Sequence, residues 1–137
     1  MKRNYIYKLT YDISKGDDVY SSFLLGFFDK KTKVQNAIEQ YKTLPGFKEN
    51  GDYFNVCRYF VKRRKVEKIY CLNHECFSEK EDVYVVTDCG IYFTEKKALR
   101  KLSRLKNEYP FNWFLDGFTV DTCEINKMEW TEGFDLY

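Results

Sequence analysis

Cys71, His74 and Cys76, followed by Cys89, are the residues whose types could hold a metal, since thiolates and an imidazole are the donors zinc prefers. Two features speak against that chemistry. No Cys-x-x-Cys pair occurs among them, and on an extended strand alternate side chains take opposite faces, so His74 and Cys76 share one face while Cys71 points to the other. The chain has a single histidine, which makes His74 also the sole imidazole available to activate a thiol such as Cys89 or Cys123. That pairing needs hydrogen-bond reach and a third group to orient the base, and the sequence dictates neither. The acid pairs Asp17-Asp18 and Glu81-Asp82 each precede Val-Tyr, where turn solvation explains them more cheaply than proton transfer. Gly16, Gly26, Gly46 and Gly51 stand alone, so no glycine-rich phosphate loop is present. These residues predict a protein that is not an enzyme and carries no metal and no cofactor. A cysteine- or metal-dependent enzyme is the least favoured alternative.

The elements that would position these groups come in two copies. Ile6-Tyr7-Lys8-Leu9 answers to Ile69-Tyr70-Cys71-Leu72, Asp18-Val19-Tyr20 to Asp82-Val83-Tyr84, and Gly26 to Gly90. Phe47 answers to Phe111, and Asp52, Phe54 and Val56 to Asp116, Phe118 and Val120. The first strand is offset by 63 residues and most of the rest by 64, with a drift to 65 around Phe28-Asp29 and Pro45. A feature present in both copies is scaffold by default, and one present in a single copy is a candidate for function. On that criterion the five cysteines are not ancestral, because none is duplicated. His74 stands where the first copy has Tyr11, an inward-facing aromatic, and is expected to be a core residue.

Each copy reads strand, strand, helix, strand. Tyr5, Tyr7, Leu9, Tyr11 and Ile13 alternate with polar residues over 5–13, the pattern of a half-buried strand. Residues 19–28 are apolar almost throughout, which predicts a central strand. From Lys30 the spacing of Val34, Ala37, Ile38 and Tyr41 is helical, with Asp29 as candidate cap and Pro45-Gly46 as terminator. A strand follows over 52–61. The second copy gives strands over 68–76 and 82–93, a helix over 95–107 capped by Thr94 with Ala98, Leu99, Leu102 and Leu105 buried, and a strand over 116–125. Gly26 and Gly90, late in apolar strands, mark bulges or close backbone approach. The expected class is α+β: tandem strand-strand-helix-strand repeats, mainly antiparallel, two helices on one face and a pseudo-two-fold relation. At 137 residues the halves (about 4–64 and 67–128) are expected to share one domain, with a short tail over 129–137.

Charge divides the copies. Lys97, Arg100, Lys101 and Arg104 recur at i, i+3, i+4 and i+7 on the second helix, where the first has Lys33, Asn36, Ala37 and Gln40. The run Lys62-Arg63-Arg64-Lys65 between the copies is answered by Asn126-Lys127-Met128-Glu129. Together these clusters would neutralise phosphates or an acidic partner, although a net charge of +2 does not by itself announce a nucleic-acid binder. Phe111-Asn112-Trp113-Phe114 resembles little in the first copy and supplies candidate contact aromatics, Trp113 and Phe114 foremost. The acidic, aromatic tail from Glu129 is also unmatched.

At Gly26-Phe27-Phe28-Asp29, Ala37-Ile38, Leu44-Pro45-Gly46-Phe47 and Asp52-Tyr53-Phe54, the first copy resembles small uncharacterised bacterial domains that run strand, short helix, Leu-Pro-Gly-Phe, final strand. The resemblance covers about half the chain, and the second copy carries Glu108-Tyr109-Pro110-Phe111 at the motif. It supports the fold and brings no activity.

No apolar run suits a signal peptide or a membrane span, and an odd cysteine count fits a reducing compartment, so a cytoplasmic protein is expected. The function expected is non-catalytic: binding and occluding a protein partner, as small accessory, immunity or phage-type inhibitory proteins do. A nucleic-acid-binding module is the alternative, and edge strands offer a route to a homodimer.

Overall fold

Among the described residues, alternating and helical patterns become six strands and two α-helices: β1 (Asn4–Lys15), β2 (Val19–Phe28), α1 (Lys31–Tyr41), β3 (Phe54–Val61), β4 (Lys68–Ser78), β5 (Val83–Tyr92), α2 (Glu95–Leu105) and β6 (Phe118–Glu124). The computed structural model describes residues 4–15, 19–47, 53–62, 66–80 and 82–131. Expectations placed on Asp17, Asp18, Asp52, Arg63, Arg64, Lys65, Glu81 and the tail from Glu132 lie outside those residues. The class is α+β, with two three-stranded sheets, ordered β2-β1-β3 and β5-β4-β6. The chain divides into two compact units, Met1–Lys65 with Glu124–Tyr137, and Val66–Cys123.

In the first unit β1 pairs antiparallel with both neighbours. Its Leu9, Tyr11 and Ile13 are buried, as the alternation requires, against Val34, Ala37 and Tyr41 of α1 and against Phe47. β2 is not central as its apolar run suggests. It lies at the end of the sheet, and its outer edge is covered by the returning chain: Ile125 bridges Phe27 in parallel, Asn126 N–H donates to the Phe27 carbonyl at 2.7 Å, and Glu129 N–H to that of Leu25 at 2.8 Å. Trp130 then sets its ring against Phe23 at 5.3 Å. Covering of this kind makes a lateral strand read as an interior one. The Tyr41 hydroxyl ties helix, strand and return together by donating toward the carbonyls of Leu25 and Glu129.

Gly26 and Gly90 both have positive φ, +155° and +110°, and both sheets shift register beside them, the bulge expected of such glycines. A Cβ on Gly26 would come within 2.6 Å of the Lys127 carbonyl oxygen, so glycine there also permits the return to close on β2.

The helices occupy equivalent positions at the 64-residue offset and begin differently. Thr94 caps α2 as expected, its hydroxyl accepting from Lys97 N–H. Asp29 does not cap α1. The N-cap is Lys30, without a side-chain cap, while the Asp29 carboxylate is 2.8 Å from Lys33 Nζ and its N–H donates to Asn126 Oδ1. Burial works to raise the Asp29 pKa, but hydrogen bonds from Lys33 and Asn126 prevail and hold it below the usual value. Leu99 is exposed rather than buried, because only Ala98, Leu102 and Leu105, at i, i+4 and i+7, line up over the sheet. Among the described residues no helix is long and apolar enough to cross a membrane.

Candidate functional site

His74 belongs to the scaffold of the second unit. It is 2% exposed on β4, and its ring meets Phe111 edge-on at 4.9 Å and Phe118 at 4.7 Å. The first unit repeats this grouping, with Tyr11 edge-on to Phe47 at 4.9 Å and to Phe54 at 5.1 Å. The repeat thus preserves an aromatic trio while exchanging one ring for another. The polar atom of each central ring finds a loop carbonyl: Tyr11 OH donates to Gly46 at 3.4 Å, and His74 Nε2 lies 2.8 Å from the Phe114 oxygen. A carbonyl only accepts, so Nε2 carries the hydrogen, and the imidazole pins the loop that follows α2.

The cysteines do not gather around this ring. Cys71 is buried on the opposite face, Cys57 is exposed, and Cys76, Cys89 and Cys123 are partly exposed. Burial raises the Cys89 thiol pKa, the Asp88 carboxylate adds to the effect, and Lys101 opposes it. This is the reverse of the depression that activates a nucleophile. Among the described residues, no group of three or more His, Cys, Asp or Glu side chains is placed to hold a metal. Asp82 adopts φ 56° in the β4–β5 turn, a turn role.

The basic stripe is real and partly engaged. Lys97, Arg100 and Arg104 are exposed, whereas Lys101 is half-buried where α1 has the fully packed Ala37. The positive charge of Lys101 bears on Cys89 and that of Arg104 on Tyr92, whose pKa is nevertheless raised, chiefly by burial. The ion pairs seen among the described residues use none of these four cations. Lys62 is exposed just past β3 in the first unit.

The loop from α2 to β6 gathers four exposed apolar groups within seven residues. Tyr109 is 74% exposed and Trp113 71%, their rings edge-on at 5.5 Å, with Leu115 at 50% and Phe114 at 43%. Two short 3-10 turns, Phe111–Trp113 and Leu115–Gly117, shape the loop. Against β4 it forms an open cavity of about 380 Å³, bounded by Glu75, Cys76 and residues 113–117. Gly117 lies so close to the Glu75 carbonyl that no Cβ fits between them. The sequence singled out Trp113 and Phe114, and the structure joins Glu75, Leu115, Asp116 and Tyr109 to them. A signal for Leu115 was present in the repeat: Trp113-Phe114-Leu115 stands where the first copy has Glu49-Asn50-Gly51. Comparison with family models, curated proteins and solved structures finds no match to the chain.

Proposed function

We propose that this is a non-catalytic interaction protein that binds and occludes a protein partner through its second unit, in the manner of a small accessory, immunity or phage-type inhibitory protein. The observation that carries the reading is the exposure of Tyr109, Trp113, Phe114 and Leu115 within seven residues. Exposed apolar clusters of this kind mark contact surfaces, and Trp and Tyr are the side chains that most often anchor them. The repeat adds support, because the apolar run is peculiar to one copy. The test is affinity capture from native lysate with wild type and Trp113→Ala/Leu115→Ser. Specific capture should be lost in the variant, and retention would defeat the reading.

A second reading, nucleic-acid binding, is favoured by the stripe of Lys97, Arg100, Lys101 and Arg104. It requires RNA or DNA binding that weakens steeply with salt and falls when these cations are replaced by glutamine. Absence of a shift at low salt would remove it.

A further inference from the structure

Resting on the reading that the second unit is a partner-binding surface, we infer that the cavity between β4 and the 113–117 loop receives a cationic side chain, lysine or arginine, from an exposed segment of a protein partner. The charged groups lining it are both carboxylates, Glu75 and Asp116, and neither enters the ion pairs seen among the described residues. Beside them stand the exposed indole of Trp113 and the apolar groups Phe114 and Leu115. A long basic side chain meets both demands at once. Its methylene stem lies along apolar surface while its head reaches the carboxylates. An indole face adds attraction for the same cation. A nucleic acid brings phosphates, which two carboxylates repel, so this cavity favours protein over RNA or DNA. Its volume of about 380 Å³ is at the small end of ligand pockets and suits one or two side chains rather than a large cofactor.

The cavity is also built in advance. His74 holds the Phe114 carbonyl at 2.8 Å from beneath, and Gly117 is seated on the Glu75 backbone. A loop fixed on both sides loses little freedom when a partner arrives. The first copy has acids at the matching positions, Asp12 and Asp52, without the apolar wall, since Glu49-Asn50-Gly51 replaces Trp113-Phe114-Leu115. Asp12 there accepts a hydrogen bond from Ser22 Oγ at 2.6 Å. The acids are thus inherited, and the wall that would turn them into a receptor for a cation is an addition of the second copy.

The experiment titrates the full ¹⁵N-labelled chain with the N-acetyl methylamides of arginine, lysine and norleucine, reading the Trp113 indole N–H and the Gly117 amide. The cationic amides should give saturable shifts at both sites, with norleucine binding about five- to tenfold more weakly. Glu75→Gln/Asp116→Asn should bring the cations to the norleucine level, and added salt should weaken the cations alone. Equal binding of norleucine, absence of saturation by the cations, or shifts at the same resonances by oligo-dT that exceed theirs would each overturn the inference. The carboxamide variant also separates this inference from the reading beneath it. If it still captures the partner while Trp113→Ala/Leu115→Ser does not, the apolar surface binds and the cation receptor is wrong.

Discussion

The two units share one plan and spend their apolar residues differently. In the first, Leu9, Tyr11, Leu25, Val34, Ala37, Tyr41, Phe47 and others close into a packed core, and even the outer edge of β2 is covered by residues 125–130. In the second, the buried apolar side chains among the described residues are Ile69, Cys71, Leu72, Ala98 and Leu105, while Phe77, Tyr84, Val86, Tyr109, Trp113 and Leu115 are exposed. Each central strand faces the same bulge in its neighbour, beside Gly26 or Gly90, and contributes to the same aromatic trio, so the difference is not one of topology. The first copy keeps more of its hydrophobic residues inside, although Val56 and Phe60 of β3 are exposed. The other has moved a share of them to the surface, where burial must come from another molecule.

That comparison can be broken by mutation. The largest effect is expected from Phe47→Ala, which should cost about 3–5 kcal/mol in urea unfolding because the ring is fully buried among Tyr11, Tyr41 and Phe54. Phe111→Ala, its counterpart, should cost about half as much, since the ring is only partly buried. Equal costs would mean the second core is as tight as the first. Next, Gly26→Ala should destabilise by about 1–3 kcal/mol through overlap with the Lys127 carbonyl and the strain of a positive φ. Hydrogen exchange should then speed up at Asn126 and Glu129, whose N–H groups bond to β2. Unchanged exchange there would show that the return does not depend on the glycine.

A smaller effect falls at high pH. Burial, and then the nearby Glu129 carboxylate, push the Tyr41 hydroxyl well above the ordinary tyrosine value of about 10. Because the folded state binds the proton more tightly than the unfolded state, the contribution is fully present below pH 10 and is lost as pH rises above it. Tyr41→Phe should lose about 1 kcal/mol at neutral pH and lose less than wild type between pH 10 and 12. Parallel pH profiles would contradict the burial of that hydroxyl. The smallest effect concerns the helix ends: Thr94→Ala should cost about 1 kcal/mol, and Lys30→Ser, which supplies the missing cap of α1, should raise stability.

Much of the fold was legible in the sequence because strand alternation and helical spacing are local signals, and duplication let each copy check the other. Thr94 and the glycine bulges were readable for that reason. The position of β2 was misread because its covering segment is almost a hundred residues away, at Ile125 and Asn126. Asp29 was mistaken for a cap because an acid beside a helix start can pair with Lys33 instead. Leu99 fits a helical stripe in sequence, yet it is exposed because Ala98, Leu102 and Leu105 take the inward face of the helix. Of the candidate surface, Trp113 and Phe114 were visible as unmatched aromatics. Glu75 was not, because its meeting with Asp116 depends on how the α2–β6 loop folds back onto β4.

The central claim, that the exposed apolar surface of the second unit is the binding face, meets its most direct test in quantitative partner capture by Trp113→Ala/Leu115→Ser beside Val56→Ser/Phe60→Ser, which alters exposed apolar residues of the first unit. With both variants verified as folded, capture should collapse for the former and stay at the wild-type level for the latter. Equal loss in both, or loss only in the first-unit variant, would contradict the account.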